Sequence, residues 1–214
     1  MKRTIACILS AIFFITSVSA QNNDSKATGL IDQLASNLKS FSNMRIEFTY
    51  QMDNDQQKLH EKTKGTILVE KNKFRILLDG KIIINDGKAV YTYLPEAKEV
   101  QINPVEEESD QLSPTSLLNN YKSKYRIKYI REENSNGKEI LIADMIPIKG
   151  QKFFKVRLYI ETKNASPVSF LMYDKSGTVF TYAVNKFEKN ATLKAGTFEF
   201  KKSDYPGAEV VDMR

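Results

Sequence analysis

Between Met44 and Met52 every second residue is apolar: Met44, Ile46, Phe48, Tyr50 and Met52 alternate with Arg45, Glu47, Thr49 and Gln51. Successive side chains of a strand point to opposite faces, so this stretch predicts a strand with one dry and one wet face. A slip of one residue would put the whole apolar set in water, so its pairing register is strongly specified. Similar short segments follow at close spacing: 65–71, 73–79, 81–85, 89–94 and 98–103, then 125–131, 139–146, 153–161, 168–173, 178–187, 197–200 and 209–211. The joints between them carry turn chemistry. Residues 53–62 are polar, Asn72 separates two strands, Asp86-Gly87 and the 134–137 segment read as hairpin turns, and Asp174 to Gly177 form another. So many consecutive hairpins with few helices predict one mainly β domain, an antiparallel sheet that curls strongly.

Two segments break the period. Leu30, Ile31, Leu34, Leu38 and Phe41 recur at helical spacing, which predicts an amphipathic helix over 24–41, capped by Asp24 or Ser25. Ser113-Pro114 reads as a cap with proline in the first helical position, opening a short helix with Leu117, Leu118 and Tyr121. That helix lies between two sets of strands, so it could cross the open side of the sheet. The acidic run Glu106, Glu107, Glu108 and Asp110 before it reads as a solvated loop, because like charges repel in a compact strand.

The chain opens MKRTIACILSAIFFITSVSA. Lys2 and Arg3 precede an apolar stretch, and Val18-Ser19-Ala20 offers small residues to a signal peptidase. The expectation is a leader over 1–20, a single domain over 21–214, and export to the periplasm. The apolar stretch is shorter than the roughly 18 residues a membrane span needs. The single cysteine, Cys7, falls in that leader, so the exported domain has neither a disulfide nor a lipid-attachment thiol, and its core alone must hold it.

Composition removes several function classes. The net charge of +6, or +4 without Lys2 and Arg3, is scattered and forms no basic stripe with aromatics between, so nucleic acid is not an expected partner. His60 is the only histidine and no cysteine lies nearby, so no metal or cofactor is expected. No serine or cysteine nucleophile has a base, and no catalytic residue is assigned. An enzyme built from carboxylates alone, such as a hydrolase, stays open.

Five stretches, in order, resemble the LolA family of periplasmic lipoprotein carriers. They are MRIEFTYQM after the helix, GTILVEKNKFRILLDG, IIINDGKAVYTYLPEAKEVQINP, SPTSLL, and AGTFEFKKSDYPGAEVVDM, and together they span nearly all of the chain beyond the leader. The resemblance implies an unclosed antiparallel β-barrel of about ten or eleven strands, with helices over its concave mouth and a cavity for acyl chains beneath them. It implies transport without covalent chemistry: acylated lipoproteins pass from an inner-membrane transporter to an outer-membrane acceptor, carried by a monomer. The cavity residues it suggests are Ile46, Phe48, Val69, Phe74, Ile76, Leu78, Tyr93, Leu117 and Leu118, with Phe74 at the cavity edge. Lys71 stands in the basic turn where relatives carry an arginine that latches the helical lid. Read from the residues alone, the same apolar set is closed core and Lys71 a plain turn lysine. The chain has no tryptophan, so a cavity here would be more aliphatic. A binding module or sensor for another lipid or glycolipid is the alternative on the same scaffold.

Overall fold

In a computed structural model, residues 17–105, 117–149 and 153–214 are described. The first sixteen residues of the expected leader, the acidic run and Ser113-Pro114 lie outside them. Helix α1 (Ser17–Ser40) leads into β1 (Met44–Asn54), β2 (Leu59–Glu70), β3 (Lys73–Leu78), β4 (Lys81–Asn85), β5 (Ala89–Leu94) and β6 (Glu99–Pro104). A short helix α2 (Tyr121–Lys124) precedes β7 (Tyr125–Ser135), β8 (Lys138–Pro147), β9 (Phe153–Glu161), β10 (Ser166–Asp174) and β11 (Val179–Lys189), and β12 (Glu209–Asp212) ends the chain. All twelve described strands join one unclosed, curled sheet in the order β12-β6-β5-β4-β3-β2-β1-β11-β10-β9-β8-β7. Every described pairing is antiparallel except β12 on β6.

The alternating strand is the spine of this sheet. Between β2 and β11, β1 pairs Ile46 with Ile67 and Phe187, and Tyr50 with Thr63 and Tyr182. The apolar set beginning at Met44 thereby shares one face with Phe74 and Ile76 of β3 and with Met145 and Leu158 across β8 and β9. The curl makes this face concave. Ala27, Ile31, Leu34 and Leu38 of α1 are buried against it, at spacings of four, three and four that keep them on one helix face.

Several local expectations are corrected. Helix α1 extends back to Ser17, so Asp24 lies within the helix and is not its cap. Its Oδ1 instead accepts the backbone N–H of Tyr129 at 2.6 Å, beside the irregularity between Tyr129 and Arg131 in the edge strand β7. That bond occupies an edge donor that has no further strand to meet. The expected turn over 53–62 shrinks to 55–58, because Asn54 is held inside the sheet by Thr178 Oγ1 at 2.8 Å and His60 joins β2 opposite Asp53. Polarity misled the reading there: polar residues are tolerated in a hairpin that reaches beyond the core. The expected strand over 197–200 is a turn. Gly196 has a φ of 76°, and the Thr197 N–H and Oγ1–H both donate to Lys194 O, turning the backbone on itself. Phe198 and Phe200 still pack, on the outer face: Phe200 stacks on Tyr91 with ring centroids 4.7 Å apart. The short helix after 113–114 is interrupted at Asn120, whose φ is 54°, so 117–118 and α2 are separate helical pieces.

Candidate functional site

The site is the concave face. Two small enclosed spaces remain in its apolar filling. The first, of about 20 Å³, is lined by Ile46, Phe48, Ile67, Ile76, Leu78, Phe170, Tyr182 and Val184. The second, of about 10 Å³, lies between α1 and β9–β10 and is lined by Leu34, Leu38, Leu117, Leu118, Phe170 and neighbours on those strands. A space of that size holds about one water, so the face is closed in this structure. Phe170 borders both spaces, so its ring stands between them. Opposite it, Gly65 makes room for Phe48. A Cβ at Gly65 would stand 2.5 Å from Phe48 Cζ and 3.0 Å from Leu77 O.

The residues expected at a cavity separate into groups. Ile46, Phe48, Ile76 and Leu78 border the first space, and Leu117 and Leu118 the second. Val69 and Phe74 share the concave face but are packed into the filling, bordering neither space. Tyr93 is on the opposite face and this expectation is corrected. Its ladder partner is Ile82, one residue out of phase with Ile83 opposite Ile76, and its ring meets Tyr205 at 4.8 Å. The C-terminal segment, invisible to a strand-by-strand reading, supplies that second small core. The sequence reading missed Phe170, Tyr182 and Val184. All three lie on β10 and β11, whose alternation was legible, but facing the distant Ile46 row is a matter of sheet curl.

The cover over the face is held by polar contacts. Asp32 of α1 accepts the Tyr121 hydroxyl at 2.8 Å and the Lys122 ammonium at 2.7 Å, tying α1 to α2. Burial pushes the Asp32 carboxyl up, and the bonds from Lys122 and Tyr121 outweigh it, leaving the group below its ordinary value. Burial and the same carboxylate hold the Tyr121 phenol far above its ordinary range. Lys26 pairs with Glu132, and Asn37 Nδ2 donates to Asn164 O at 3.0 Å. Lys71, the expected latch, is exposed in the β2–β3 turn with a φ of 55°, and its ammonium has no hydrogen-bond or ion-pair partner among the described residues. The only histidine, His60, bonds Asp53 at 3.0 Å, and no group of three or more potential ligands could hold a metal among the described residues.

A wider groove of about 480 Å³ opens on the outer face between Arg45, Leu68, Arg75, Leu77 and 194–197. Its charged rim and open shape suit it poorly to acyl chains.

A curled sheet with an apolar concave face under a helix is the geometry against which relatives can be judged. The family model described as outer membrane lipoprotein carrier protein LolA matches residues 39–201. The chain belongs to the LolA family. An outer-membrane lipoprotein carrier protein from Chromohalobacter salexigens is 24% identical over 188 residues, covering 86% of this chain and 87% of that protein. Among solved structures, an uncharacterized conserved protein from Thermus thermophilus superposes with a TM-score of 0.60 at 17% identity, over 87% of this chain and 99% of that one. LprF from Mycobacterium bovis superposes with a TM-score of 0.50 at 10% identity, over 79% and 95%. At these identities the structural matches speak for a shared fold alone. No described helix is long and apolar enough to cross a membrane.

Proposed function

We propose that this LolA-family chain is an exported periplasmic carrier that shelters the acyl chains of lipoproteins on its concave face and releases them without covalent chemistry. The observation that carries the reading is the face itself: an apolar surface running across most of the sheet, roofed by one helix that is pinned at a few polar points. Each CH2 moved from water to an apolar site gains about 0.8 kcal/mol, so one chain of about sixteen carbons favours such a surface by roughly 10 kcal/mol or more. The spaces present, about 20 and 10 Å³, are far too small for that chain. Cargo therefore enters by displacing α1, and the filling residues become the wall. The leader over 1–20, the donor transporter in the inner membrane, the acceptor at the outer membrane and action as a monomer complete the reading.

Native mass spectrometry of the protein purified from its own periplasm tests it. Bound acylated lipopeptide is the expected result. Bound free lipid would favour the reading as a module for another lipid, and a chain that carries neither and fails to bind an acyl probe would end both.

A further inference from the structure

The first space has one polar side chain on its lining. Ile46, Phe48, Ile67, Ile76, Leu78, Phe170 and Val184 are hydrocarbon, and Tyr182 is not. Tyr182 is 6% exposed, and it brings the one hydroxyl to a lining that is otherwise hydrocarbon. Its position is well fixed: the ring packs 5.2 Å from Tyr50, 5.5 Å from Phe170 and 5.9 Å from Phe48. A donor held this firmly, in a wall that is otherwise apolar, has the form of a polar group that orients a ligand.

We propose that Tyr182 is the polar anchor of the acyl cavity, its hydroxyl donating a hydrogen bond to an acyl ester carbonyl of the bound lipid. The inference rests on the carrier reading and deepens it. Burial first, and the neighbouring Tyr50 second, hold the Tyr182 phenol above its ordinary value, so it is a donor throughout the neutral range. The ester follows from what the wall lacks. A free carboxylate would enter with its full desolvation cost and no cation on the lining to meet it. An amide would bring an N–H as well as a carbonyl, the two point to opposite sides of the group, and one hydroxyl cannot meet both. An ester brings acceptors and no donor.

Tyr182→Phe removes the hydroxyl and keeps the ring, so the fold is preserved, and a thermal melt verifies it. Two probes differing only at the carbonyls are compared: a dipalmitoyl glycerol ester and the corresponding dihexadecyl glycerol ether, each displacing a fluorescent acyl probe. The expected result is that the wild type prefers the ester and that Tyr182→Phe weakens ester binding about five- to tenfold, with ether binding unchanged. Equal losses for both probes would make Tyr182 a packing residue and overturn the proposal. So would no loss for either. If the wild type binds neither probe, the carrier reading fails and the anchor falls with it, a result distinct from binding that ignores the carbonyl.

Discussion

At the scale of single residues, the alternation of Met44 to Met52 was enough to place Ile46 and Phe48 on one face of their strand, because strand geometry leaves a side chain only two directions. It could not separate wall from filling. Phe74 and Ile76 are two apart on one strand and equally apolar, yet only Ile76 borders a free space. The difference is set by what crosses from β10 and β11, and no local pattern encodes it. Gly65 illustrates the same point. As a letter it weakens a strand; in the structure it is the hollow that admits the Phe48 ring. Gly65→Ala is expected to push that ring off its position and cost about 1–3 kcal/mol in chemical denaturation, as overpacking of a filled core does. An unchanged midpoint would mean that Phe48 moves freely. Phe170→Ala should do the reverse. Removing the ring between the two spaces joins them, lowers stability by roughly 2–4 kcal/mol since Phe170 is only half-buried, and leaves a dry void. Tighter uptake of a small apolar probe by calorimetry, together with the lower melting point, is the expected pair of readings; a melting point that falls without any uptake would show that the wall collapses instead.

At the scale of elements, most strands were visible as alternating runs ended by turn residues, and the departures fall where long-range contacts take over. The β1–β2 hairpin outran its apolar pattern because Asn54 finds Thr178 across the sheet. The segment 197–200 alternates like a strand but folds back through Gly196. Helix α1 was legible as a helix, yet its attachments were not, since Asp32 meets Tyr121 and Lys122 some ninety positions away. This contact is one of those that tie the covering helix, and Lys71 makes none among the described residues. Asp32→Asn should loosen it. The expected outcome is faster amide hydrogen exchange along α1, faster acyl-probe association, and a stability loss of about 1 kcal/mol, kept small by the partial exposure of the pair. Acid should act in the same direction. The folded-state carboxyl lies below its ordinary value of 3.8, so its contribution is present above that value and is lost as pH falls through the lower folded one. Exchange in α1 should thus rise in wild type below about pH 4 and rise less in Asp32→Asn. Parallel acid profiles for the two proteins would remove Asp32 from that role.

At the scale of the whole molecule, the question is which part gives way to admit a ligand, since the face is closed and the filling is dense. The sheet is the less yielding part. Its central strand β1 is paired along nearly its whole length on both sides, and parting either seam would strip a run of backbone bonds at once. Helix α1 keeps its own backbone bonds wherever it lies, and it is fastened by side-chain contacts at Asp24, Lys26, Asp32 and Asn37. Displacing it exposes apolar surface, and on the proposed carrier reading an arriving acyl chain would cover that surface again and lower the net cost. The helix and not the sheet should therefore be the moving part. Asn37 donates to Asn164 O at 3.0 Å, which brings the end of α1 beside the β9–β10 turn, so a disulfide between cysteines at these two positions would pin the cover. With Cys7 replaced by serine, those would be the only two thiols in the chain. The oxidised protein should melt higher than the reduced one and bind an acyl probe at least tenfold more weakly, and a reductant should restore binding. Undiminished binding in the oxidised protein, with the disulfide verified by mass, would mean that the ligand enters without lifting the helix and that the sheet itself must open.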